Sequence, residues 1–94
     1  MLTVHKYNFP FPADTFELHL PEGARVLHVG MQGDDPRMWV LVDPKDFPTP
    51  RRFRVVGTGV PIEQSLEDWR HISTFFMGEF VWHVFEEMYP EGEK

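Results

Sequence analysis

The sequence predicts an all-β fold, either a compact antiparallel β-sandwich or a partly closed barrel of about seven strands. Nine prolines divide the chain, and proline lacks the amide donor that helix interiors and central strands require. The pieces that the prolines leave are rich in β-branched and aromatic residues, which favour strands. Glycine-containing turn sequences of the hairpin type join some of these pieces.

Each predicted strand has this β-branched and aromatic composition. In chain order the segments are TVHKYNF (3–9), TFELHL (15–20), ARVLHVGMQ (24–32), RMWVLVD (37–43), RRFRVVGTG (51–59), HISTFFM (71–77) and EFVWHVFEEM (79–88). The sequence GDDP at 33–36 joins the third strand to the fourth, and Gly78 provides the positive φ that turns the sixth into the seventh. The segment PIEQSLEDW at 61–69 is expected to be an exposed acidic loop rather than a helical turn.

Two of the strands are apolar on both faces. Alternation places Phe80, Trp82 and Val84 on one face of the seventh strand, and Val81, His83 and Phe85 on the other. The fourth strand, around 38–42, shows the same pattern. Because a sheet with one wet face alternates apolar and polar residues, both faces of these strands are expected to be covered. One cover is the opposite sheet, and the other is a subunit, a partner or a loop.

Length and composition indicate one domain over residues 1–94, with a short flexible acidic tail at about 89–94. There is no cysteine, no signal-peptide layout and no apolar run long enough to span a membrane, so a reducing cytoplasm is the expected location. The net charge is −6, and the acidic excess falls in residues 63–94. Such a charge repels phosphate backbones, which makes nucleic acid a disfavoured partner.

The arginine-rich segment RRFRVVGTGVPI at 51–62 raises two binding hypotheses. Arg52 and Arg54 share one face of the predicted strand, whereas Arg51 points to the opposite face with Phe53. The arginines either pair with carboxylates or grip a ligand, and the GTG step at 57–59 lacks the spacing of a phosphate-binding loop. A nucleic-acid-binding small barrel using Arg51, Arg52 and Arg54 is the alternative function, and Trp39 or Phe53 would stack on the bases.

No catalytic or metal-binding pattern is present. The only serines, Ser65 and Ser73, lie outside any nucleophile motif, and no two histidines have the spacing of a metal site. His28 and His83 are the candidates if a small-molecule or metal site exists at a barrel mouth, because both lie in the middle of strands. We therefore expect no cofactor, and the sequence favours a protein that is not an enzyme.

Several blocks of the sequence resemble one family. They are HKY (5–7), LPEGARVLHVGMQ (20–32), MWVLVDP (38–44), RRFRVVGTGVPI (51–62) and FVWHVFE (80–86). In order and over nearly the whole chain, these blocks are similar to a family of small uncharacterised proteins that bacteriophages and prophages encode. The resemblance implies a phage-borne accessory protein in the host bacterial cytoplasm, and it implies no catalytic residue or cofactor.

The predicted function is a non-catalytic protein-binding module that self-associates. Its partner is a second copy of the chain or a host or phage protein, and no membrane is involved. Large aromatic side chains and arginines are the residues that most often anchor protein interfaces. On this basis the predicted partner-binding residues are Arg52, Arg54, Trp39, His83 and Phe85.

Overall fold

Seven strands form two antiparallel sheets in the computed structural model, which describes residues 1–88. In chain order they are β1 (Thr3–Asn8), β2 (Thr15–Pro21), β3 (Arg25–Gln32), β4 (Asp35–Val42), β5 (Pro48–Gly57), β6 (Trp69–Met77) and β7 (Phe80–Glu87). The three-stranded sheet has the order β1-β4-β3, and the four-stranded sheet has the order β2-β5-β7-β6. The predicted all-β fold is confirmed, and the sandwich rather than the closed barrel is the arrangement found among residues 1–88. The tail predicted at about 89–94 lies outside the described residues.

The two sheets stack as two layers. The Cα atoms span 39 × 36 × 16 Å. Because stacked sheets lie about 10 Å apart, the shortest dimension accommodates two sheets and leaves no room for a third layer. The residues between the sheets form one core, with Phe9 packed 4.9 Å from the Phe16 ring and 5.7 Å from the Phe75 ring. The buried apolar side chains are Phe9, Leu20, Ala24, Val29, Met38, Val40, Val42, Phe53, Val55, Phe75 and Val84.

Both predicted hairpins are present. The β3–β4 turn has Gly33 at φ +61°, and the β6–β7 turn has Gly78 at φ +59°. Residues other than glycine rarely adopt this left-handed conformation, so glycine at the first turn position fits each two-residue turn. The β6–β7 hairpin sets the pairs Met77–Phe80 and Phe76–Val81, and this register carries through to Thr74 and His83.

Strand β5 begins three residues earlier than the sequence predicted, at Pro48 rather than residue 51. Over Pro48 and Pro50 it pairs with β2, whereas its pairing with β7 begins only at Phe53. The amide of Val55 donates to the Asp14 carbonyl on the β2 side. Because amide directions alternate along a strand, the backbone nitrogens of the even-numbered residues, including Pro50, are directed away from β2. The two prolines are tolerated because their missing donors lie on the side where no strand of residues 1–88 pairs with them.

A single serine joins the two sheets where β3 and β6 meet. The Ser73 hydroxyl donates to the Val29 carbonyl at 2.9 Å and accepts a hydrogen bond from the Val29 amide at 3.1 Å. The pairing of β6 with β7 is irregular between His71 and Ser73. This irregularity lets His71 face outward while Ser73 faces the core.

One end of the core contains a buried ion pair. The Arg51 guanidinium contacts both Glu86 carboxylate oxygens, with 3.0 Å between Nη2 and Oε1, and its Nη1 donates to the Ala24 carbonyl at 2.8 Å. Arg70 approaches the same carboxylate at 3.7 Å. The prediction that Arg51 points away from Arg52 and Arg54 is confirmed. On that side, Arg51 is held by its contacts with Glu86 and the Ala24 carbonyl.

The second apolar faces of β4 and β7 are only partly covered by the described chain. Trp39 on β4 is half-buried because the His28 ring stacks on it, with 6.0 Å between ring centroids and an interplanar angle of 22°. The His28 ring occupies the space that a Cβ at Gly30 would need. Val81, His83 and Phe85 on β7 are likewise half-buried. Neighbouring side chains of the same sheet therefore provide partial cover, and no further layer of the described chain lies over either face.

Candidate functional site

The outward side of the four-stranded sheet is the candidate binding surface, and we call it the aromatic face. Alternation along β5, β6 and β7 turns one set of side chains away from the core, and ring contacts and hydrogen bonds link these side chains to one another. The aromatic face comprises Arg52, Arg54, Val56, Trp69, His71, Thr74, Phe76, Val81, His83, Phe85 and Glu87. It contains four of the five predicted partner-binding residues, namely Arg52, Arg54, His83 and Phe85.

Arg54 lies across the first residue of β6. Its guanidinium carbon is 4.4 Å from the centroid of the Trp69 ring, which is a cation–π contact. Its Nη2 also donates to Gln64 Oε1 at 2.6 Å. Strand β7 lies between β5 and β6, so the long Arg54 side chain reaches across β7 to contact Trp69. These two contacts hold the arginine along the sheet surface.

His83 is at the centre of a chain of polar contacts on the aromatic face. Its Nδ1 lies 2.9 Å from Thr74 Oγ1, and its Nε2 lies 2.8 Å from Thr58 Oγ1. Thr74 Oγ1 is in turn 2.8 Å from His71 Nε2, and the His71 ring packs 5.5 Å from Phe85. Both nitrogens of His83 are therefore occupied by hydroxyl groups, and the ring orientation is fixed.

This arrangement does not have the parts of a nucleophilic catalyst. The distance between Thr58 Oγ1 and His83 Nε2 suits a nucleophile and its base. However, the group that orients the histidine is the Thr74 hydroxyl rather than a carboxylate, and the pair lies on an open sheet surface. The hydrogen bonds fix the surface, and a fixed surface favours binding because less side-chain freedom is lost on association.

The aromatic face changes from charged to apolar along its length. At the charged end, Arg52 Nη1 contacts Glu87 Oε2 at 3.2 Å. At the other end, beside the Gly78–Glu79 turn, Phe76 is 68% exposed and Val81 lies opposite it on β7. Phe80 is also exposed at this hairpin end, but it lies on the opposite face of β7, next to Trp82. Exposing a large aromatic side chain to water is unfavourable, so burial of this end against a partner would gain more free energy than burial of the charged end.

The structure does not bring Trp39 to this surface. Trp39 lies on β4 in the three-stranded sheet, with its ring against His28 on the outward side of that sheet. His28 and His83 consequently lie on the outward sides of different sheets and do not converge. Within residues 1–88, no three histidine, aspartate or glutamate side chains are grouped so as to hold a metal ion.

Two residues of the nucleic-acid hypothesis are unavailable for contact. Arg51 points into the core and is paired with Glu86, and Phe53 is fully buried. Neither residue can reach a phosphate or stack on a base without disrupting the core. Arg52 and Arg54 remain on the surface, although each already has a partner within the chain.

Several residues of the aromatic face, and residues that contact it, were missed by sequence reasoning. Thr74 could have been found, because counting back from a two-residue turn at Gly78–Glu79 pairs residue 74 with His83. Trp69 could not, because its contact with Arg54 requires knowing that β5 and β6 flank the same strand. Thr58 and Gln64 lie outside the regular strands, where periodicity carries no information.

The fold and the surface together define a class of protein, a two-sheet β-domain with an aromatic outer face. Residues 1–94 match the model of a family described as a domain of unknown function (DUF7352). The chain belongs to this family. No curated protein matches the chain, and neither does any solved structure. In the described part of the chain, no helix is long and apolar enough to cross a membrane.

Proposed function

We propose that the protein is a non-catalytic protein-binding module that self-associates through the aromatic face. The observation that carries the proposal is the exposure of Phe76 at the end of a surface whose other large side chains are already fixed by mutual contacts. Exposed aromatic groups next to a rigid, hydrogen-bonded surface are typical of protein interfaces.

The charges of this surface fit a second copy of the same chain. Two-fold assembly requires a self-complementary patch, because each residue of one subunit meets the corresponding patch of the other. The sheet surface carries both signs close together: Arg52 lies opposite Glu17 on β2 and contacts Glu87 on β7. Rotation of one copy onto another therefore allows arginines to meet carboxylates while the Phe76 ends lose contact with water.

The proposal extends to the biological setting that the sequence resemblance implies. Blocks shared with small phage-encoded proteins support an accessory role in the host bacterial cytoplasm. In that setting the target of the self-associated module is a host or phage protein. The absence of cysteine is compatible with a reducing compartment.

The decisive substitution is Phe76→Asp, with Phe47→Asp as the matched control. Both side chains are strongly exposed, but Phe47 is 83% exposed in the connection between β4 and β5, outside the aromatic face. Sedimentation velocity over a range of protein concentrations should show a larger species for the unmodified protein and for Phe47→Asp. Phe76→Asp should be a monomer, because a charge replaces the main apolar contact.

Two results would contradict the proposal. A natural-sequence protein that stays monomeric at high micromolar concentration would refute self-association. Equal dissociation by the two substitutions would show that the association is a general effect of exposed apolar groups rather than a property of the aromatic face.

A further inference from the structure

The outward side of the three-stranded sheet is a second surface of the molecule. Residues that pair on neighbouring strands lie on the same side of a sheet. On β4, Met38 and Val40 are fully buried, so the alternate residues of β4 and their paired neighbours face outward. We call this surface the cationic face. Its two central rows, in the order β1, β4 and β3, are Val4, Leu41 and Arg25, and then Lys6, Trp39 and His28.

Two positive charges on the cationic face have no carboxylate partner within residues 1–88. Arg25 and Lys6 are both exposed. Lys6 Nζ donates to the side-chain amide oxygen of Gln32 at 2.7 Å, and the Arg25 side chain has no hydrogen-bond or ion-pair partner in the described chain. Arg37, on the same side, is paired with Asp35 at 3.4 Å. Uncompensated cations on one side of a chain whose net charge is −6 define where a negatively charged group is attracted.

An apolar centre lies between the two charges. Strand β4 is the middle strand of this sheet, whereas Lys6 and Arg25 are on its edge strands β1 and β3. Trp39 and Leu41 of β4 are half-buried, and no layer of residues 1–88 lies over them. The adjacent Val4 side chain is 51% exposed. A tryptophan with cations around it is the composition typical of a protein-binding surface.

The positions of the two cations match the repeat of an extended chain. Lys6 and Arg25 are separated by two strand spacings across the sheet and by two residues along it, so their Cα atoms are about 12 Å apart. In an extended segment, residues i, i+2 and i+4 point to the same side, and i and i+4 are about 13 Å apart. Carboxylates at i and i+4 therefore meet the two cations, and the side chain at i+2 lies over Trp39 and Leu41.

We propose that the cationic face binds an extended acidic segment of a partner protein, with two carboxylates four residues apart and an apolar side chain midway between them. Lys6 exchanges the neutral Gln32 oxygen for a carboxylate, which is a stronger acceptor. This site is separate from self-association, because the aromatic face lies on the other sheet. A dimer formed through the aromatic face carries the cationic face twice and can bind two such segments.

The observations favour a protein segment over a nucleic acid. A nucleic-acid strand carries one charge per nucleotide, and its affinity comes from neutralising several of them. Lys6 and Arg25 supply two cations, and the net charge of the chain repels the remaining phosphates. A peptide with two carboxylates brings only the charges that this surface compensates.

The test uses a short blocked peptide with two glutamates four residues apart, a leucine midway and serines elsewhere. The readout is the indole NH signals of the three tryptophans in a ¹H–¹⁵N NMR spectrum, with Trp39→Phe and Trp69→Phe variants to identify two of them. The peptide should shift the Trp39 signal saturably, while the signal of Trp69, on the other sheet, stays in place. Absence of saturation up to about 10 mM, or an equal shift of the Trp69 signal, would overturn the proposal.

Three matched peptides test the chemistry of the segment. One has glutamine in place of both glutamates, one has serine in place of leucine, and one has the two glutamates next to each other. The proposal requires all three to bind more weakly than the first peptide, and binding of the first peptide should weaken with added salt. Equal binding of the glutamine peptide would overturn the acidic segment. Equal binding of either of the other two would overturn the apolar centre or the spacing.

Matched variants of the protein locate the two carboxylates. Lys6→Gln and Arg25→Gln should each weaken peptide binding about threefold, because each removes one exposed charge pair. Lys45→Gln removes an exposed cation from the connection between β4 and β5, outside the cationic face, and should change binding less than about 1.5-fold. An effect of Lys45→Gln equal to the other two would show a general effect of net charge and overturn the site.

Two further measurements exclude the other occupants. Phe76→Asp should leave peptide binding unchanged, so that failure of self-association and failure of this site are distinguishable. If Phe76→Asp still associates, and adding Arg25→Gln abolishes that association, a second copy occupies the cationic face and the assignment to a partner is overturned. A shift of the Trp39 signal that saturates at lower concentration with oligothymidylate than with the peptide would likewise overturn the protein segment.

Discussion

Two arginine–glutamate pairs with neighbouring sequence numbers occupy opposite environments. The Arg51–Glu86 pair lies inside, with the Glu86 side chain only 5% exposed, whereas the Arg52–Glu87 pair lies on the aromatic face. Sequence alternation correctly separated the two arginines onto different faces. It could not assign Glu86 to Arg51, because that pairing depends on the register of β5 against β7.

Glu86→Ala should destabilise the protein by about 3–5 kcal/mol, because it leaves the Arg51 charge largely buried without its carboxylate. Urea unfolding followed by far-ultraviolet circular dichroism measures the change in the free energy of unfolding. Glu87→Ala is the control and should cost less, because its partner Arg52 is 46% exposed and keeps its contact with water when the Glu87 carboxylate is removed. Similar costs for the two substitutions would contradict the distinction between the two pairs.

At the scale of elements, the sequence predicted all seven strands, and composition together with turn residues was sufficient for this. The strands were found because β-branched and aromatic residues cluster between glycine- and proline-containing turns. The pairing order β2-β5-β7-β6 was not predictable, because non-adjacent strands pair through contacts that one strand's periodicity does not encode. The start of β5 at Pro48 was missed because the prolines were read as strand boundaries. Proline is excluded from a strand only where a neighbouring strand needs its amide, and the sequence does not show where that is.

Ser73→Ala should loosen the junction between β3 and β6. The substitution removes the partner of both the Val29 amide and the Val29 carbonyl in a buried position, at a cost of about 1–3 kcal/mol for an unsatisfied group. Hydrogen exchange by NMR should show faster exchange of the Val29 amide. Ser65→Ala, in an exposed loop, is the control and should leave this amide unchanged. Unaltered protection of Val29 in Ser73→Ala would show that the serine does not join the sheets.

At the scale of the whole molecule, charge and shape decide which partners are compatible with the protein. The net charge is −6, and Arg51, one of nine Lys and Arg residues, is neutralised inside the core. No layer of residues 1–88 covers either outer surface of the two sheets, so half-buried aromatic groups remain available on each side. Composition revealed the excess of aromatic residues, but only the sheet order shows which of them share a surface.

The protein should not retard a single-stranded oligonucleotide in a native gel, even at low ionic strength. The expectation follows from the net negative charge and from the burial of Phe53, because affinity for nucleic acid depends on cationic contacts to phosphate and on accessible stacking rings. A lysine-rich protein of similar size serves as the positive control. A retarded band that disappears with added salt would contradict this expectation.

The unequal lengths of β2 and β5 have a consequence for how this architecture can diversify. Residues 13–15 are exposed and contribute nothing to the buried apolar set, so the entry to β2 can be extended or shortened while the interior stays the same. Each added pair of residues would fill part of the recess beside β5, where β2 has ended, and each removal would enlarge it. The size of this recess can therefore change without any change to the buried core.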